Sequence, residues 1–469
     1  MTIPACPRAV LVGVQLPQVS DADHASSLDE MERLATTLGL DVVARVTQKR
    51  DSLAAAAAVG AGKLKEIAAL TGGTGVVPDG VPARAKRRDD DEKDADGEDE
   101  DAPAADSPAR PSDAERATVV LLDHDLNPQR TRNLERATSA EVLDRTAVIL
   151  AIFERHARSR EARLQVEIAR LKYLAPRMRE TGGADRQGGG IGGKGAGESA
   201  MQLDRRKNRD RVAELTRELE SIARDAGTRR QRRSAHETVA LVGYTNAGKS
   251  SLMRALTGSE ILVADKLFAT LDTTVRAIVP ATHPRILVSD TVGFIRSLPH
   301  DLVASFRSTL DEAREASLLL HVVDAADPAY EAQLRVTRDV LAEIGAGETP
   351  SLLLLNKIDR VDAARRAELL EKHPDAVQLS AMSTDDVALL RERIVQFYER
   401  DMVEDVVVVP FRDHGRVAEI HAACRVLAET YDEAGTRVRL RARPEVIARL
   451  RGGTGAQNPP AESRNGTSR

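Results

Sequence analysis

Residues 243–251 of this chain read Gly-Tyr-Thr-Asn-Ala-Gly-Lys-Ser-Ser, after an apolar run at 238–242 and before a helix-compatible stretch at 251–256. Within them, Gly243-x-x-x-x-Gly248-Lys249-Ser250 demands a strand, a tight turn and a helix in immediate succession. That demand points to an open α/β sheet. The main-chain N–H groups of Gly243, Tyr244, Thr245, Asn246, Ala247 and Gly248 make a concave turn at a helix N-terminus, a geometry that binds phosphate. Lys249 is placed to reach the outer phosphates, Ser250 to ligate Mg²⁺, and Ser251 to complete the first helical turn over them.

Two further stretches follow apolar strands in order. Asp290-Thr291-Val292-Gly293 closes the run at 286–288, and Asn356-Lys357-Ile358-Asp359 closes the run at 351–355. A parallel sheet binds its ligand at the carboxyl ends of its strands, so these pieces can converge on one nucleotide. Asp290 suits Mg²⁺ through water, and the Gly293 N–H suits a γ-phosphate oxygen. A carboxylate at Asp359 can accept two hydrogen bonds from the N1 and N2 edge of guanine, which adenine lacks. A buried carboxylate left unpaired by the wrong base costs on the order of 1–3 kcal/mol, so the spacing predicts guanine. Ser380-Ala381, after 376–379, can offer a backbone N–H to the guanine O6.

Four such pieces in this order resemble the translation-factor-like GTPases. The flanking Leu267-Phe268-Ala269-Thr270-Leu271-Asp272-Thr273-Thr274-Val275-Arg276 and Asp290-Thr291-Val292-Gly293-Phe294-Ile295 resemble the HflX family specifically. Thr270 and Thr274 both suit the switch threonine that closes on Mg²⁺ and the γ-phosphate; Thr270 is preferred. Lys249, Thr270 and Gly293 are then the groups expected to act on the γ-phosphate. Many GTPases place a glutamine directly after Asp-x-x-Gly, whereas this chain has Phe294. Phenylalanine cannot orient water, so slow intrinsic hydrolysis, raised by a partner, is expected. Asn246 resembles the asparagine that helps hold K⁺ beside the phosphates in some GTPases, where the cation replaces an arginine finger. It equally suits a brace of the loop.

At 469 residues the chain is long enough for two to four domains, since single cores stop growing near about 250–300 residues. Cys6 and Cys424 are its two cysteines and make no disulfide framework, which fits a reducing cytosol. The early apolar run at 9–14 is too short for a signal peptide, and no run approaches the roughly 20 residues of a membrane span. A cytoplasmic monomer is expected.

Residues 1–158 read as an α/β domain, with strands at 8–15 and 41–47, a helix at 27–38, a strand at 117–123, and helices near 130–137 and 145–156. Gly60-Ala61-Gly62-Lys63 lacks the first glycine of a phosphate loop and reads as a turn before a helix. His124 between Asp123 and Asp125 reads as a capped turn rather than a metal site. Residues 84–116 carry 7 Lys or Arg against 13 Asp or Glu, and 82–116 is expected to be a disordered acidic insert. The stretch Asp123-His124-Asp125-Leu126-Asn127-Pro128-Gln129 again resembles the HflX N-terminal domain.

Residues 159–235 read as a helical hairpin, apolar at Leu164, Ile168, Leu171, Leu174 and Met178 and again at Val212, Leu215, Leu219 and Ile222. Between the helices, residues 182–197 hold nine glycines in sixteen positions. Residues 155–233 carry 21 Lys or Arg against 11 Asp or Glu, an excess suited to RNA phosphates. Aromatics are scarce there, so backbone and shape rather than base stacking are the expected targets. Gly190, Gly192 and Lys194 in the loop and Arg205 and Arg206 after it are the candidate RNA contacts. Gly190-Ile191-Gly192-Gly193-Lys194-Gly195-Ala196-Gly197-Glu198 resembles the HflX signature, departing from the usual Arg, Pro and Glu at Lys194, Ala196 and Gln202. A GTPase domain over 236–400, a small α/β domain over 401–451 (strands at 405–411 and 436–442, a helix at 416–429) and a disordered tail over 452–469 complete the expected organisation.

The resemblance implies GTP and GDP as ligands, Mg²⁺ as cofactor, and the large ribosomal subunit and its rRNA as partner, with the N-terminal domain and glycine loop near the peptidyl transferase centre. It implies splitting of stalled or idle ribosomes under stress. A GTPase of large-subunit assembly or RNA maturation would share the site and the basic hairpin. A regulatory module working through residues 84–116 is a further alternative, and a metabolic kinase fits less well because Asn356–Asp359 is given over to the base.

Overall fold

The computed structural model describes residues 6–77, 116–177, 200–233, 237–259, 267–268, 271, 273–282, 285–296, 307–413 and 415–452. The acidic stretch, the glycine-rich loop with Gly190, Gly192 and Lys194, Thr270 and the tail lie outside the described residues. The chain forms two compact units, one built mainly from residues 1–220 and the other from the remainder.

In the first unit β1 (Arg8–Gln15), α1 (Asp21–Leu38), β2 (Asp41–Lys49) and α2 (Ala61–Thr71) precede the acidic stretch, and β3 (Val119–Leu122), α3 (Pro128–Thr138), β4 (Glu141–Asp144) and α4 (Arg145–His156) follow it. The four strands are parallel in the order β2-β1-β3-β4. Ala9, Val10, Leu11 and Val12 are all fully or nearly fully buried, because helices cover both faces of such a sheet. The first helix starts at Asp21, earlier than its apolar stripe suggests, since the Ser20 side chain accepts the Asp23 N–H and caps it. At the other end Gly39, with φ 80°, turns the chain into β2. Gly60 is the N-cap of α2, a turn before a helix.

Asp144 ties this domain to the helix that follows. It caps α4 by accepting the Ala147 N–H at 2.8 Å. It also accepts the Tyr173 hydroxyl at 2.7 Å and Arg177 Nη2 at 2.6 Å. Tyr173 lies on α5 (Arg160–Leu174), which is continued after the glycine-rich loop by α6 (Ala200–Arg233). Deeper in the domain Arg145, 3 % exposed, pairs with Glu30 and, at 2.6 Å, with Asp123. Asp123 is thus half of a buried ion pair. Among the described residues no group of three or more His, Cys, Asp or Glu is placed to hold a metal ion.

The second unit carries β5 (Glu237–Gly243), α7 (Lys249–Thr257), β6 (Thr274–Ala277), β7 (Ile286–Asp290), α8 (Arg307–Glu315), β8 (Leu318–Asp324), α9 (Tyr330–Glu343), β9 (Ser351–Asn356), α10 (Ala363–Lys372), β10 (Val377–Gln378) and α11 (Thr384–Glu399). Its sheet runs β10-β9-β8-β5-β7-β6, parallel except for the edge strand β6. Val239, Leu241, Leu252, Leu256, Val288, Leu320 and Leu354 form its core, so β5 is central and the loop after it sits at a strand end.

The chain then makes β11 (Val403–Val409), α12 (Gly415–Ala423), β12 (Arg425–Asp432), β13 (Gly435–Ala442) and α13 (Pro444–Gly452), with the strands antiparallel in the order β11-β13-β12. Here the expected helix at 416–429 is corrected: it stops at Ala423 and a strand replaces its second half. Asp432 accepts the N–H groups of Ala434 and Gly435, and Gly435 has φ 140°. That turn pairs β12 with β13, and the cross-strand bonds outweigh local helix propensity. Among the described residues no helix is long and apolar enough to cross a membrane.

Candidate nucleotide-binding site

The loop at 243–248 leaves β5 and enters α7 as its spacing requires. A β-carbon on Gly243 would lie 2.2 Å from the Val322 carbonyl oxygen, and one on Gly248 (φ 98°) would lie 2.2 Å from Asn356 Nδ2. Only glycine fits at either place. The first turn of α7 has no side-chain cap, the form of helix N-terminus that suits an anion. Lys249, 6 % exposed, donates to the carbonyls of Gly243 at 2.9 Å and Tyr244 at 2.7 Å. Burial lowers its ammonium to about 8, opposed by the charge of Asp290.

Asp290 ends β7 with no exposed surface, and the Ser250 hydroxyl donates to its Oδ2 at 2.7 Å. A hydroxyl and a carboxylate so close make a donor set of hard oxygens, which fits Mg²⁺. Thr274 opens β6 directly opposite Asp290 in the β6–β7 register. Gly293 lies against the loop: a β-carbon there would be 2.8 Å from Thr245 Cγ2 and 3.1 Å from Lys249 Nζ. Phe294 is 2 % exposed, its ring inside the protein.

The second strand-end tetrad holds the phosphate loop from behind. Asn356 Nδ2 donates to the Ala247 carbonyl at 2.8 Å, and Asn356 Oδ1 accepts the Ala381 N–H at 3.0 Å. Lys357, at φ 59°, donates to the Asn246 carbonyl and to Asp324 Oδ2, both at 2.7 Å. Asp359 is exposed in the short turn Ile358–Arg360. The Ser380 N–H is taken by Asp386 Oδ2 at 2.7 Å, so both N–H groups expected to face the base have partners within the protein. Asn246 has φ 59° and is half-buried.

Asp324 was not among the residues read from the sequence, although it ends an apolar strand just as Asp290 does. Tyr244 has a role beyond its main chain, since its hydroxyl accepts the Arg296 N–H at 2.6 Å; no spacing rule could show that. On α6, Arg205 is half-buried and Arg206 exposed. Arg205 and Arg209 line a groove with Lys172 and Pro176. Arg206 stands 4.0 Å from Asp210, a loose pair on the surface of α6.

Known protein families match these regions in turn. The family described as "GTP-binding GTPase N-terminal" matches residues 25–77 and 107–154, "GTP-binding GTPase Middle Region" matches 156–233, and "50S ribosome-binding GTPase" matches 238–357. The chain is 57% identical over 453 residues to the GTPase HflX of Gluconacetobacter diazotrophicus, covering 96% of this chain and 98% of that one. It is 36% identical over 445 residues to the GTPase HflX of Escherichia coli, covering 94% of each. A solved GTP-binding protein from Sulfolobus solfataricus in complex with GDP is 25% identical, with a TM-score of 0.41 over 83% of this chain and 98% of that one. With relatives of this identity along nearly its whole length, and with a site whose parts suit GTP hydrolysis, the chain belongs to the HflX family of GTPases.

Proposed function

We propose that this GTPase binds the large ribosomal subunit in its GTP form and splits stalled or idle ribosomes, above all under stress. The observation that carries the reading is the match of residues 238–357 to the family described as a 50S ribosome-binding GTPase. The basic face of α6, with Arg206 and Arg209 exposed, adds a surface for rRNA phosphates. Arg205 and Arg206, with Gly190, Gly192 and Lys194 of the loop between α5 and α6, are the proposed contacts.

In the proposed reaction Lys249 supplies charge to the β- and γ-phosphates, and the first turn of α7 supplies N–H donors. Ser250, Asp290 through water, and Thr270 or Thr274 are the residues that would hold Mg²⁺, which would supply charge neutralisation to the phosphates. Thr270 or Thr274 closes over the γ-phosphate, and Asp359 reads the guanine edge. With its ring buried and apolar, Phe294 cannot hold the attacking water. Intrinsic hydrolysis is therefore slow, and contact with the ribosome accelerates it. Asn246 is the residue that would help hold K⁺, which would supply part of the charge that an arginine finger gives elsewhere. GTP orders the switch segments and stabilises the subunit-bound form; hydrolysis releases the protein.

The test is incubation with 70S ribosomes and GTP, GDP or a nonhydrolysable analogue, followed by a sucrose gradient. Free subunits appearing with GTP or the analogue, with the protein on the large one, are the expected result. Firm binding to the large subunit without splitting would favour assembly or RNA maturation. Absence of the protein from every ribosomal fraction would overturn the reading of the partner.

A further inference from the structure

Tyr244 is the second residue of the phosphate loop, 6 % exposed, and its phenol oxygen accepts the Arg296 N–H at 2.6 Å. Beside that bond, the Phe294 N–H donates to the Gly243 carbonyl at 3.1 Å and the Thr245 N–H donates to the Phe294 carbonyl at 2.8 Å. Tyr244 and Phe294 pair as a short parallel bridge. The chain beyond Asp290 is thereby laid along the phosphate loop. Gly293 lies close against the loop, where an added β-carbon would be 2.9 Å from Thr245 Cα and 3.1 Å from Lys249 Nζ.

A γ-phosphate that engages both Lys249 and the Gly293 N–H must fit between them. A diphosphate makes no such demand. Whatever holds Gly293 down on the loop therefore weighs against GTP and leaves GDP unaffected. The two main-chain bonds would form in any sequence with this backbone. The bond to the phenol depends on a single side-chain oxygen.

We propose that the Tyr244 hydroxyl is a positioning group that holds segment 293–296 against the phosphate loop and so sets the balance between GDP and GTP. A ring without the oxygen would fill the same space and keep the fold. One neutral hydrogen bond shifts an equilibrium by about 2- to 10-fold, so this group adjusts the balance rather than deciding it outright. The inference concerns the nucleotide alone and stands or falls independently of the ribosome.

The experiment compares the full-length protein with Tyr244→Phe, measuring affinities for GDP and for a nonhydrolysable GTP analogue in Mg²⁺ buffer by titration calorimetry. The ratio of analogue affinity to GDP affinity should rise about 2- to 10-fold in the variant. Amide hydrogen exchange in segment 293–296 should quicken in the variant with GDP bound. An unchanged or lower ratio of analogue to GDP affinity overturns the proposal. Equal weakening toward both nucleotides also overturns it, because it marks Tyr244 as a packing residue of the loop.

Discussion

The side-chain amide of Asn356 donates to the main-chain carbonyl of Ala247 at 2.8 Å, so the end of β9 physically supports the loop after β5. The loop after β5 and the tetrad after β9 share one hydrogen-bonded frame. Lys357 adds a second strut to the same loop through the Asn246 carbonyl. A change at Asn356 or Lys357 removes a hydrogen bond to the loop at 243–248, whereas Asp359 is exposed.

Asp359→Asn is therefore the clean test of base choice. The amide can donate to the O2 of xanthine and accept from its N1–H, but it cannot accept from both N1 and N2 of guanine. GTP affinity should fall by about 100-fold or more while XTP becomes the better substrate. Competition between the two nucleotides checks this, and unchanged GTP preference would remove Asp359 from the site.

Removal of the buried guanidinium of Arg145 should unsettle the first unit. Arg145→Ala leaves Glu30 and Asp123 buried without their shared cation, at a cost of about 3–5 kcal/mol. Arg160→Ala, which breaks an exposed pair with Glu218, should cost about 1 kcal/mol or less. Urea unfolding of both variants makes the comparison, and equal losses would contradict it.

His321 predicts a pH dependence. It lies in β8 at 7 % exposure, and burial, with a smaller push from Arg338, lowers its imidazole from 6.5 to about 4. Between those values the unfolded chain binds more protons than the folded one. The stability from neutral His321 is fully present above the unfolded value and is lost as pH falls toward the folded one. By pH 5 the loss is on the order of 2 kcal/mol. His321→Gln should flatten the change in urea midpoint between pH 7 and pH 5; the same slope in both proteins would be evidence against it.

Asn246 provides the test of the monovalent cation. Its backbone carbonyl is held by Lys357 and its φ is 59°, so its main chain is fixed. With K⁺ as cofactor, hydrolysis in KCl should exceed that in NaCl at equal ionic strength, and Asn246→Ala should erase the difference. Equal rates in the two salts would leave Asn246 only the role of brace.

Much of this arrangement is legible in the sequence, and the reasons differ between residues. Gly248, Lys249, Ser250 and Asp290 lie where their spacing puts them, at the turn from β5 into α7 and at the end of β7, because a strand followed by a glycine turn and a helix leaves few other places for them. The helix Arg145–His156 and the stripe of Leu28, Met31 and Leu34 are readable because burial imposes a period. Strand β4 has only four residues, too few for any period to show. Strand β12 looked helical because its antiparallel pairing depends on the turn at Asp432–Gly435. The Tyr244 to Arg296 bond joins residues 52 positions apart, and sequence spacing carries no trace of it.

The first sheet has a consequence for how the protein is made. Its central strand β1 has β2 on one side and β3 on the other, pairing Ala9 with Val42 and with Val119. During synthesis β2 emerges soon after β1, whereas β3 arrives only after the entire acidic stretch has been translated. Until then one edge of this buried, largely apolar strand stands open, where another nascent chain could add to it. Each doubling of the intervening length adds only about 0.6 kcal/mol to closure, so the finished fold tolerates the stretch well. The burden of its length falls on the waiting time, and the net charge of −6 that residues 84–116 bring makes the growing chain repel its own copies while it waits.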